Sequence, residues 1–401
     1  MATVKEYLKR YGDKTFKELA MNEIDISIIA IISYADFLSS SVSKKYEKDQ
    51  PIPLQVFNKD ETLKLVARRY LAKNLVFYNF LKQFMDCKRY QDIELGNIEN
   101  KFSEKNSVQF FAMTIKNSMG TFIIYRGTDN TIVGWKEDIN LAISDSIPAQ
   151  IDAEKYLEKI AKKVKGDLYI IGHSKGGNLA YYSFFNTKDT IKNRIKKVYN
   201  LDGPGFRDDN YDYDEYSTKL VKICPSDDVV GAIFDTRLDQ VLVQSTRIGV
   251  DAHDMLTWKV DPHKKYLEFI HPKDYTQFCK SFKIALNDWF HNVPKESMTD
   301  FVDFIFTLVS IDNPSTLGDL KAGLFLNSRK YRKIIANFPP EKKKALTEMA
   351  VGFMRSWTYS FFHQKAYSID SSKKELEKII ISLNKEAVKS KKGKLNVQED
   401  L

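Results

Sequence analysis

A serine flanked by glycines is the first candidate for chemistry in this chain of 401 residues. Residues 172–176 read Gly-His-Ser-Lys-Gly, with Ser174 at the centre. The apolar run 167–171 predicts a buried strand, and the residues from Asn178 onward predict a helix. A serine on a sharp turn between a strand and a helix needs small neighbours, which Gly172 and Gly176 supply. We therefore expect Ser174 to be a nucleophile, with N–H groups of the helix start close to it.

A serine hydroxyl becomes an effective nucleophile when a base takes its proton, and histidine commonly serves as that base. Where such a turn carries the nucleophile, the chain order is serine, acid, histidine. His253 follows the last clear strand by a short loop, so we predict that it is the base. His263 and His271 lie on later loops and are weaker candidates. We interpret His173 as structural, because its side chain points away from the attack site.

The carboxylate that orients the histidine has three candidates. Asp227 and Asp228 follow the end of the second predicted strand after the serine, where the acid of such an enzyme usually lies. Only one of these adjacent side chains can face the histidine, and the residues alone leave both open. Asp202 ends the intervening strand and is the third candidate. For Asp202 we favour a role in bonding backbone N–H groups of the turn at 203–205.

Two N–H donors are needed to stabilise the negative charge that develops on the substrate oxygen. We predict that the backbone of Lys175, directly after the serine, provides one, with its ammonium group facing solvent. The segment 125–129, Tyr-Arg-Gly-Thr-Asp, follows an earlier predicted strand. Gly127 permits a close turn there, and Thr128 is predicted to provide the second donor.

Composition is that of an ordinary globular protein, with 43% hydrophobic, 13% aromatic and 29% charged residues. The net charge is +9. Because lysine is spread along the chain and no basic block is interleaved with aromatic residues, we expect no nucleic-acid partner. The densest basic run, 389–394, is interpreted as a solvated tail.

The three cysteines, Cys87, Cys224 and Cys279, are far apart and fit neither a disulfide framework nor a metal site. Residues 1–25 lack the apolar segment of a signal peptide. The apolar runs 27–35 and 301–311 are too short to span a bilayer. We therefore expect a cytoplasmic protein, with export by a route that uses no cleaved signal as the alternative.

The pattern of elements predicts three regions. Residues 1–100 show helical spacing, most clearly over 21–38 and 62–82, and are expected to pack on the core. Residues 101–295 alternate strands and helices, which indicates an α/β core with a mostly parallel sheet. The predicted strands are 107–115, 121–125, 167–171, 197–201, 219–224 and 240–245, and the main predicted helix is 149–165. Residues 296–401 predict more helices, at 301–311, 341–362 and 373–383, with an open role.

Several motifs together resemble those of known families. Residues 125–128 resemble the oxyanion motif of class 3 lipases, and residues 172–177 resemble their nucleophile motif. The chain resembles more closely a bacterial, lipase-like domain-of-unknown-function family within the α/β-hydrolases, over roughly residues 20–265. The motifs that carry this likeness are Asn22-Glu23-Ile24-Asp25, Ser33-Tyr34-Ala35-Asp36, Gly134-Trp135-Lys136-Glu137-Asp138, the segment 172–178, and His253-Asp254 with Trp258.

The resemblance implies an α/β-hydrolase fold and a serine hydrolase that cleaves a carboxylic ester of a lipid or another acyl compound. It implies that Ser174 attacks, that His253 moves the proton and that no metal or organic cofactor takes part. The family pattern Pro-Glu-Asp-Ser-Val-Val-Gly, matched to residues 225–231, implies Asp227 as the acid. Alignment with class 3 lipases, where the acid precedes an apolar pair, implies Asp228 instead.

Other functions fit the same residues. The chain could cleave a thioester or a peptide, or act as a secreted lipase-type toxin or phospholipase. It could also be a non-catalytic interaction protein whose C-terminal helices bind a protein partner. A basic, partly amphipathic C-terminal segment would suit peripheral contact with an anionic membrane, and aromatic residues at 353–362 could cover an acyl pocket. Loss of function in Ser174→Ala would favour an enzyme over a binding protein.

Overall fold

The structure is a computed structural model. It describes residues 1–39, 50–67, 74–103, 108–128, 146–207, 210–231 and 240–293, together with isolated positions between and beyond these ranges. The helices predicted at 301–311, 341–362 and 373–383 fall outside the described ranges, and so do the predicted acyl-pocket cover at 353–362 and the basic tail. Their roles stay predictions.

An eight-stranded sheet forms the centre of the described chain, and its spatial order follows the chain order from β1 to β8. The pairs from β1 to β4 are antiparallel, and the pairs from β4 to β8 are parallel. The predicted α/β fold with a mostly parallel sheet is therefore confirmed. The strands are β1 (Ile52–Pro53), β2 (Glu94–Ser103), β3 (Val108–Asn117), β4 (Gly120–Tyr125), β5 (Leu168–His173), β6 (Ile195–Leu201), β7 (Leu220–Pro225) and β8 (Val241–Val243).

Helices cover both faces of this sheet. They are α1 (Val4–Tyr11), α2 (Glu23–Ile32), α3 (Asp60–Val66), α4 (Asn74–Met85), α5 (Pro148–Lys163), α6 (Lys175–Asn186), α7 (Asp189–Lys192) and α8 (Gln277–Asn292). The stretch 62–82, predicted as one helix, contributes to α3 and α4, with 68–73 outside the described residues. No helix among the described residues is long and apolar enough to cross a membrane.

Alternating side chains of the strands divide the apolar interior into two cores. On β4, Phe122 and Ile124 join the core shared with α1, α2 and α4. Ile123 and Tyr125 point to the other face and pack with α5 and α6. This period of two is the normal consequence of strand geometry. The N-terminal helices and the sheet therefore share one continuous core. Each Å² of apolar surface that this core removes from water stabilises the fold by about 25 cal/mol.

The strand β2 is not predicted by the sequence, which indicates helices up to about residue 100. Its ten residues carry few apolar side chains, and most are partly exposed. The pairing with β3 shifts between Gly96 and Glu99, and Asn97 has a positive φ of 47°. Such a bulge interrupts the alternation of buried and exposed residues by which a strand is recognised in a sequence.

A buried ion pair holds the N-terminal region together. Asp25, on the first turn of α2, accepts hydrogen bonds from Nε and Nη2 of Arg89 at 2.7 and 2.6 Å. Both side chains are fully buried. Tyr7 and Tyr90 donate their hydroxyl groups to the same carboxylate, and so does the backbone N–H of Asn22. The Asn22–Asp25 motif is thus a helix cap joined to a buried charge network.

Candidate active site

Ser174 lies on the sharp turn that the sequence predicts. The strand β5 ends at His173, the helix α6 begins at Lys175, and Ser174 between them has φ 60° and ψ −134°. A residue other than glycine rarely adopts this conformation, which costs on the order of 1–3 kcal/mol and persists where the surrounding fold enforces it. This conformation is consistent with the predicted role of Ser174, which stays a prediction.

Two glycines allow this turn to pack, as predicted. A Cβ atom on Gly172 would lie 1.8 Å from the carbonyl oxygen of Gly176, and one on Gly176 would lie 2.1 Å from the carbonyl oxygen of Tyr125. Real Cβ atoms do not approach backbone this closely, so neither position accepts a side chain without movement of the turn. The predicted need for small neighbours of Ser174 is confirmed.

The carboxyl ends of the parallel strands bring the polar residues together. Each of the strands β4 to β8 is followed by candidate site residues: Thr128 after β4, Ser174 after β5, Asp202 after β6, Asp227 and Asp228 after β7, and His253 after β8. Ligand sites of open parallel sheets form at this edge. The positions predicted from separate parts of the sequence therefore meet at one edge of the sheet.

His253 is oriented by a carboxylate of the neighbouring strand end. It closes a 3-10 turn, Gly249–His253, and its Nδ1 lies 2.8 Å from Oδ2 of Asp202. Asp202 is fully buried and has a positive φ of 53°. With Nδ1 donating to Asp202, the opposite ring nitrogen, Nε2, is the atom left to accept a proton.

The acid preferred from the sequence does not face His253. The carboxylate of Asp227 accepts a hydrogen bond from Oγ of Ser226, and its backbone oxygen accepts one from the N–H of Gly249. The choice of Asp227 therefore disagrees with the geometry, because Asp227 fixes the loop before His253 through its backbone.

From the sequence, Asp202 is expected to bond the backbone of its own turn, but its Oδ2 bonds the imidazole. The N–H of Gly203 in that turn donates instead to Oδ1 of Asn200. The N–H of Gly205 donates to the backbone oxygen of Ile233.

Asp228, the second predicted acid, lies beside the pair without bonding the ring directly. Its Oδ2 is 3.9 Å from Nδ1 of His253, which is too long for a hydrogen bond. The same oxygen accepts from the backbone N–H groups of Val230 and Gly231 at 2.6 and 3.2 Å. Asp228 is thus a second buried carboxyl group close to Asp202 and His253.

Burial changes the acidity of both carboxyl groups. Loss of solvent raises the pKa of Asp202 to about 7, although a hydrogen bond with Asp228 and the charge of Lys222 act in the opposite direction. Burial first, and then repulsion from Asp202, raise the pKa of Asp228 well above its usual value. Two neighbouring carboxyl groups in such a site do not both ionise readily. The hydrogen bond between them therefore favours the charged form of Asp202 and disfavours the charged form of Asp228.

The predicted oxyanion segments lie against Ser174. A Cβ atom on Gly127 would be 2.6 Å from Cβ of Ser174, so the loop after β4 passes directly beside the serine. Thr128, next in the chain, is buried. Lys175 begins α6, where backbone N–H groups lack partners within the helix. These positions agree with the two predicted donors, whose roles stay predictions.

The side chain of Lys175 corrects one expectation, because it does not face solvent. Only 2% of the residue is exposed, and Nζ forms an ion pair of 2.6 Å with Oε2 of Glu137. Nζ also donates to the backbone oxygen and the Oε1 of Gln109. A lysine directly after a serine on a helix start is usually exposed, and the sequence contained no sign that Glu137 would meet it.

The remaining histidines take other roles. His263 and His271 are exposed, and Nδ1 of His271 contacts the backbone oxygen of Leu242 at 2.8 Å. His173, predicted to be structural, is buried and has one ring nitrogen bonded to Tyr34 and the other to the backbone oxygen of His253. Burial, followed by the nearby His253, lowers the pKa of His173 well below its usual value. His173 is therefore neutral at neutral pH.

Asp202, Asp228 and His253 also form a group that could hold a metal ion, with a ligand atom of each within 4.8 Å of the others. Zinc ligands lie about 2.0–2.2 Å from the metal, so a tetrahedral site separates nitrogen and oxygen ligands by about 3.3 Å. The 2.8 Å between His253 and Asp202 suits a hydrogen bond instead. We interpret this group as a hydrogen-bonded network that orients His253.

The fold, the strained serine and the carboxylate–histidine pair define the class of an α/β-hydrolase. Residues 84–307, more than half of the chain, match the Mbeg1-like family, and the chain belongs to this family. The family is lipase-like and part of the α/β-hydrolase superfamily. The match starts later and ends later than the resemblance seen in the sequence. No curated protein and no solved structure matches the chain.

Proposed function

We propose that the protein is a serine hydrolase that cleaves a carboxylic ester of a lipid or another acyl compound. The observation that carries this proposal is the 2.8 Å hydrogen bond between His253 and Asp202, at the same sheet edge as the strained Ser174. A buried carboxylate that fixes one nitrogen of an imidazole leaves the other nitrogen to serve as a base. Membership of a lipase-like family supports an ester as the substrate.

The proposed reaction has two halves. Oγ of Ser174 attacks the carbonyl carbon of the ester while Nε2 of His253 takes the hydroxyl proton. The tetrahedral intermediate collapses, the imidazolium returns the proton to the departing alkoxide, and an acyl-enzyme remains. Water then attacks the acyl-enzyme with the same base, and the carboxylic acid leaves. Asp202, as the carboxylate, stabilises the imidazolium that forms in each half.

Negative charge on the substrate oxygen would be met by two backbone N–H groups, those of Thr128 and Lys175. The first lies on the loop beside Cβ of Ser174, and the second begins α6. Each donor of this kind is worth about 10²–10³ in rate. Burial of the Lys175 side chain against Glu137 supports this role, because it holds the first residue of the helix in place.

A fluorophosphonate probe tests the proposal, because it reacts with an activated serine. The expected result is rapid labelling of the wild type, none in Ser174→Ala, and labelling slowed by at least about 10³-fold in His253→Ala. Asp202→Asn should slow labelling by about 10²–10⁴-fold, because the imidazolium loses its counter-charge. Asp227→Asn is the matched control, because the carboxylate of Asp227 lies on the same strand end as Asp228 but bonds Ser226 instead of His253. This variant should react like the wild type.

Two results would overturn the proposal. One is equal labelling of the wild type and Ser174→Ala, which would assign the reaction to another residue. The other is a folded wild type that takes no label either in buffer or with detergent. If Asp227→Asn loses labelling while Asp202→Asn retains it, the acid assignment fails although the serine hydrolase stands. Thermal unfolding of each variant excludes loss of the fold as the cause.

A further inference from the structure

One residue outside the proposed triad, His173, contacts His253, and a second, Tyr34, contacts His173. Tyr34, which follows α2, places its hydroxyl 2.7 Å from Nδ1 of His173, and Nε2 of His173 lies 3.0 Å from the backbone oxygen of His253. We infer that Tyr34 and His173 are positioning residues, which hold His253 through a relay of two hydrogen bonds. The inference rests on the proposed function, in which His253 is the base.

The direction of both hydrogen bonds follows from the acceptor at one end. A backbone oxygen can only accept a hydrogen bond, so Nε2 of His173 carries a hydrogen and donates a hydrogen bond to the backbone oxygen of His253. His173 is buried and neutral, so its Nδ1 carries no proton and accepts from the Tyr34 hydroxyl. The relay therefore runs from Tyr34 to His173 to His253, and the tyrosine selects the tautomer of His173 that serves His253.

His173 contacts His253 at a second place as well. The two imidazole rings lie with their centroids 4.4 Å apart and their planes inclined by 30°. His253 is thus held at its backbone oxygen, across one ring face and at Nδ1 by Asp202. A base must stay within about 0.5 Å and 10–20° of its working geometry, and contacts from several directions provide this.

Tyr34 lies close to the nucleophile as well as to His173. The position that a Cβ of Gly127 would take is 2.6 Å from the Tyr34 hydroxyl and also 2.6 Å from Cβ of Ser174. The tyrosine ring is buried and meets the ring of His173 edge-on, with centroids 5.7 Å apart. A residue outside the matched segment 84–307 therefore reaches the centre of the site.

The variant Tyr34→Phe distinguishes a role of Tyr34 in packing from a role in hydrogen bonding. Tyr34→Phe keeps the ring and removes only the hydroxyl, so a packing role predicts an unchanged reaction. A positioning role predicts labelling by the fluorophosphonate slowed by about tenfold or more, since small displacements of a base reduce rate steeply. Tyr156→Phe is the matched control, because it removes a hydroxyl that donates to the backbone oxygen of Asn97 on β2, in the antiparallel part of the sheet.

Variants of His173 separate the hydrogen bond from the ring contact. His173→Leu removes the donor to His253 and should slow labelling at least as much as Tyr34→Phe. In His173→Gln an amide N–H can still donate to the backbone oxygen of His253, and labelling should recover in part. With p-nitrophenyl butyrate as the substrate, Tyr34→Phe should lower kcat and leave KM unchanged, because the acyl group is bound as before.

Imidazole ¹⁵N chemical shifts of the full-length protein give a readout that does not depend on activity. The wild type should show His173 neutral with its proton on Nε2, and Tyr34→Phe should shift it toward a mixture of tautomers. A wild-type His173 that is cationic or carries its proton on Nδ1 would overturn the inference. So would a Tyr34→Phe variant that reacts like Tyr156→Phe. A wild type that takes no label instead contradicts the hydrolase itself, and the positioning role falls with it.

Discussion

Asp202 and Asp228 are two buried carboxyl groups near His253, and each changes the pKa of the other. The pKa of Asp202 is raised to about 7, by burial above all. The hydrogen bond with Asp228 acts against this rise, because it favours the charged form of Asp202. Asp228 therefore contributes to the site without touching the imidazole at hydrogen-bond distance.

The reaction rate should follow the ionisation of Asp202. Because a protonated Asp202 cannot stabilise an imidazolium, labelling by the fluorophosphonate should rise as pH rises through about 7. Asp228→Leu should move this midpoint to higher pH, since Asp202 then loses the hydrogen bond that favours its charged form. Asp228→Asn, which retains a donor, should move it less. The measurement is the labelling rate from pH 5 to 9, and an upward shift in Asp228→Asn with none in Asp228→Leu would contradict this account.

The same carboxyl pair predicts the sign of a stability change with pH. The pKa of Asp228 is raised in the folded chain, so the native state keeps a proton that the unfolded chain releases above 3.8. The stabilisation is fully present below that value and is lost as pH rises toward the folded pKa. As pH rises above 3.8 toward this raised pKa, the wild type should lose stability relative to Asp228→Asn, by at most about 1.4 kcal/mol per pH unit. Urea unfolding of both proteins measures the difference, and a gap that widens in favour of the wild type would contradict it.

At the scale of elements, α6 is held at its first residue by a buried ion pair. Nζ of Lys175 bonds Glu137, and Glu137 also accepts from the backbone N–H groups of Gln109 on β3 and Ala149 on α5. One carboxylate thus connects the start of α6, the antiparallel strand β3 and the start of α5. The position of Glu137 therefore fixes the first residue of α6, Lys175, whose backbone N–H is the proposed oxyanion donor.

Removing one member of this pair should be costly. Lys175→Met leaves the Glu137 carboxylate buried without its counter-charge, so the free energy of unfolding should fall by about 3–5 kcal/mol. Lys280→Met is the matched control, because it breaks an exposed pair of the same 2.6 Å length with Asp274 and should change stability by less than about 1 kcal/mol. Equal losses in the two variants, measured by urea unfolding, would mean that the buried pair does not anchor α6.

At the scale of the whole molecule, the N-terminal helices complete the hydrolase core. Their apolar side chains share one core with the faces of β3, β4 and β5, and Tyr34 extends from them to the site. The pair of Asp25 and Arg89 holds α2 against the segment after α4. The segment that matches the family therefore depends on residues that precede it for both packing and geometry.

Asp25→Asn tests this dependence. The arginine would stay buried without a charged partner, so the free energy of unfolding should fall by about 3–5 kcal/mol. For a chain of 401 residues the melting temperature should then fall by about 4–6 °C, at about 1.2 °C per kcal/mol. Asp60→Asn, which breaks an exposed pair with Lys64, is the control and should leave the melting temperature nearly unchanged. Differential scanning calorimetry decides, and an Asp25→Asn variant as stable as the control would contradict the anchoring role.

Local patterns predicted the parts of the fold and site that depend on neighbouring residues. The turn around Ser174, the strands after residue 100 and the loop that carries His253 have local signals, and the structure contains each of them. The sequence does not identify the carboxylate that bonds His253, because Asp202, Asp227 and Asp228 all follow strand ends and only the three-dimensional positions of their oxygens separate them. Tyr34 and Glu137 reach the site from distant positions in the chain, so no spacing rule could reveal their contacts.

The most direct test of the central claim is the site of the fluorophosphonate adduct. The wild type is labelled at neutral pH, digested and analysed by tandem mass spectrometry. We predict one adduct for each molecule, on Ser174, with none after the same treatment of Ser174→Ala. An adduct on another serine, or an equal adduct on denatured protein, would contradict the claim that this turn and its histidine activate Ser174.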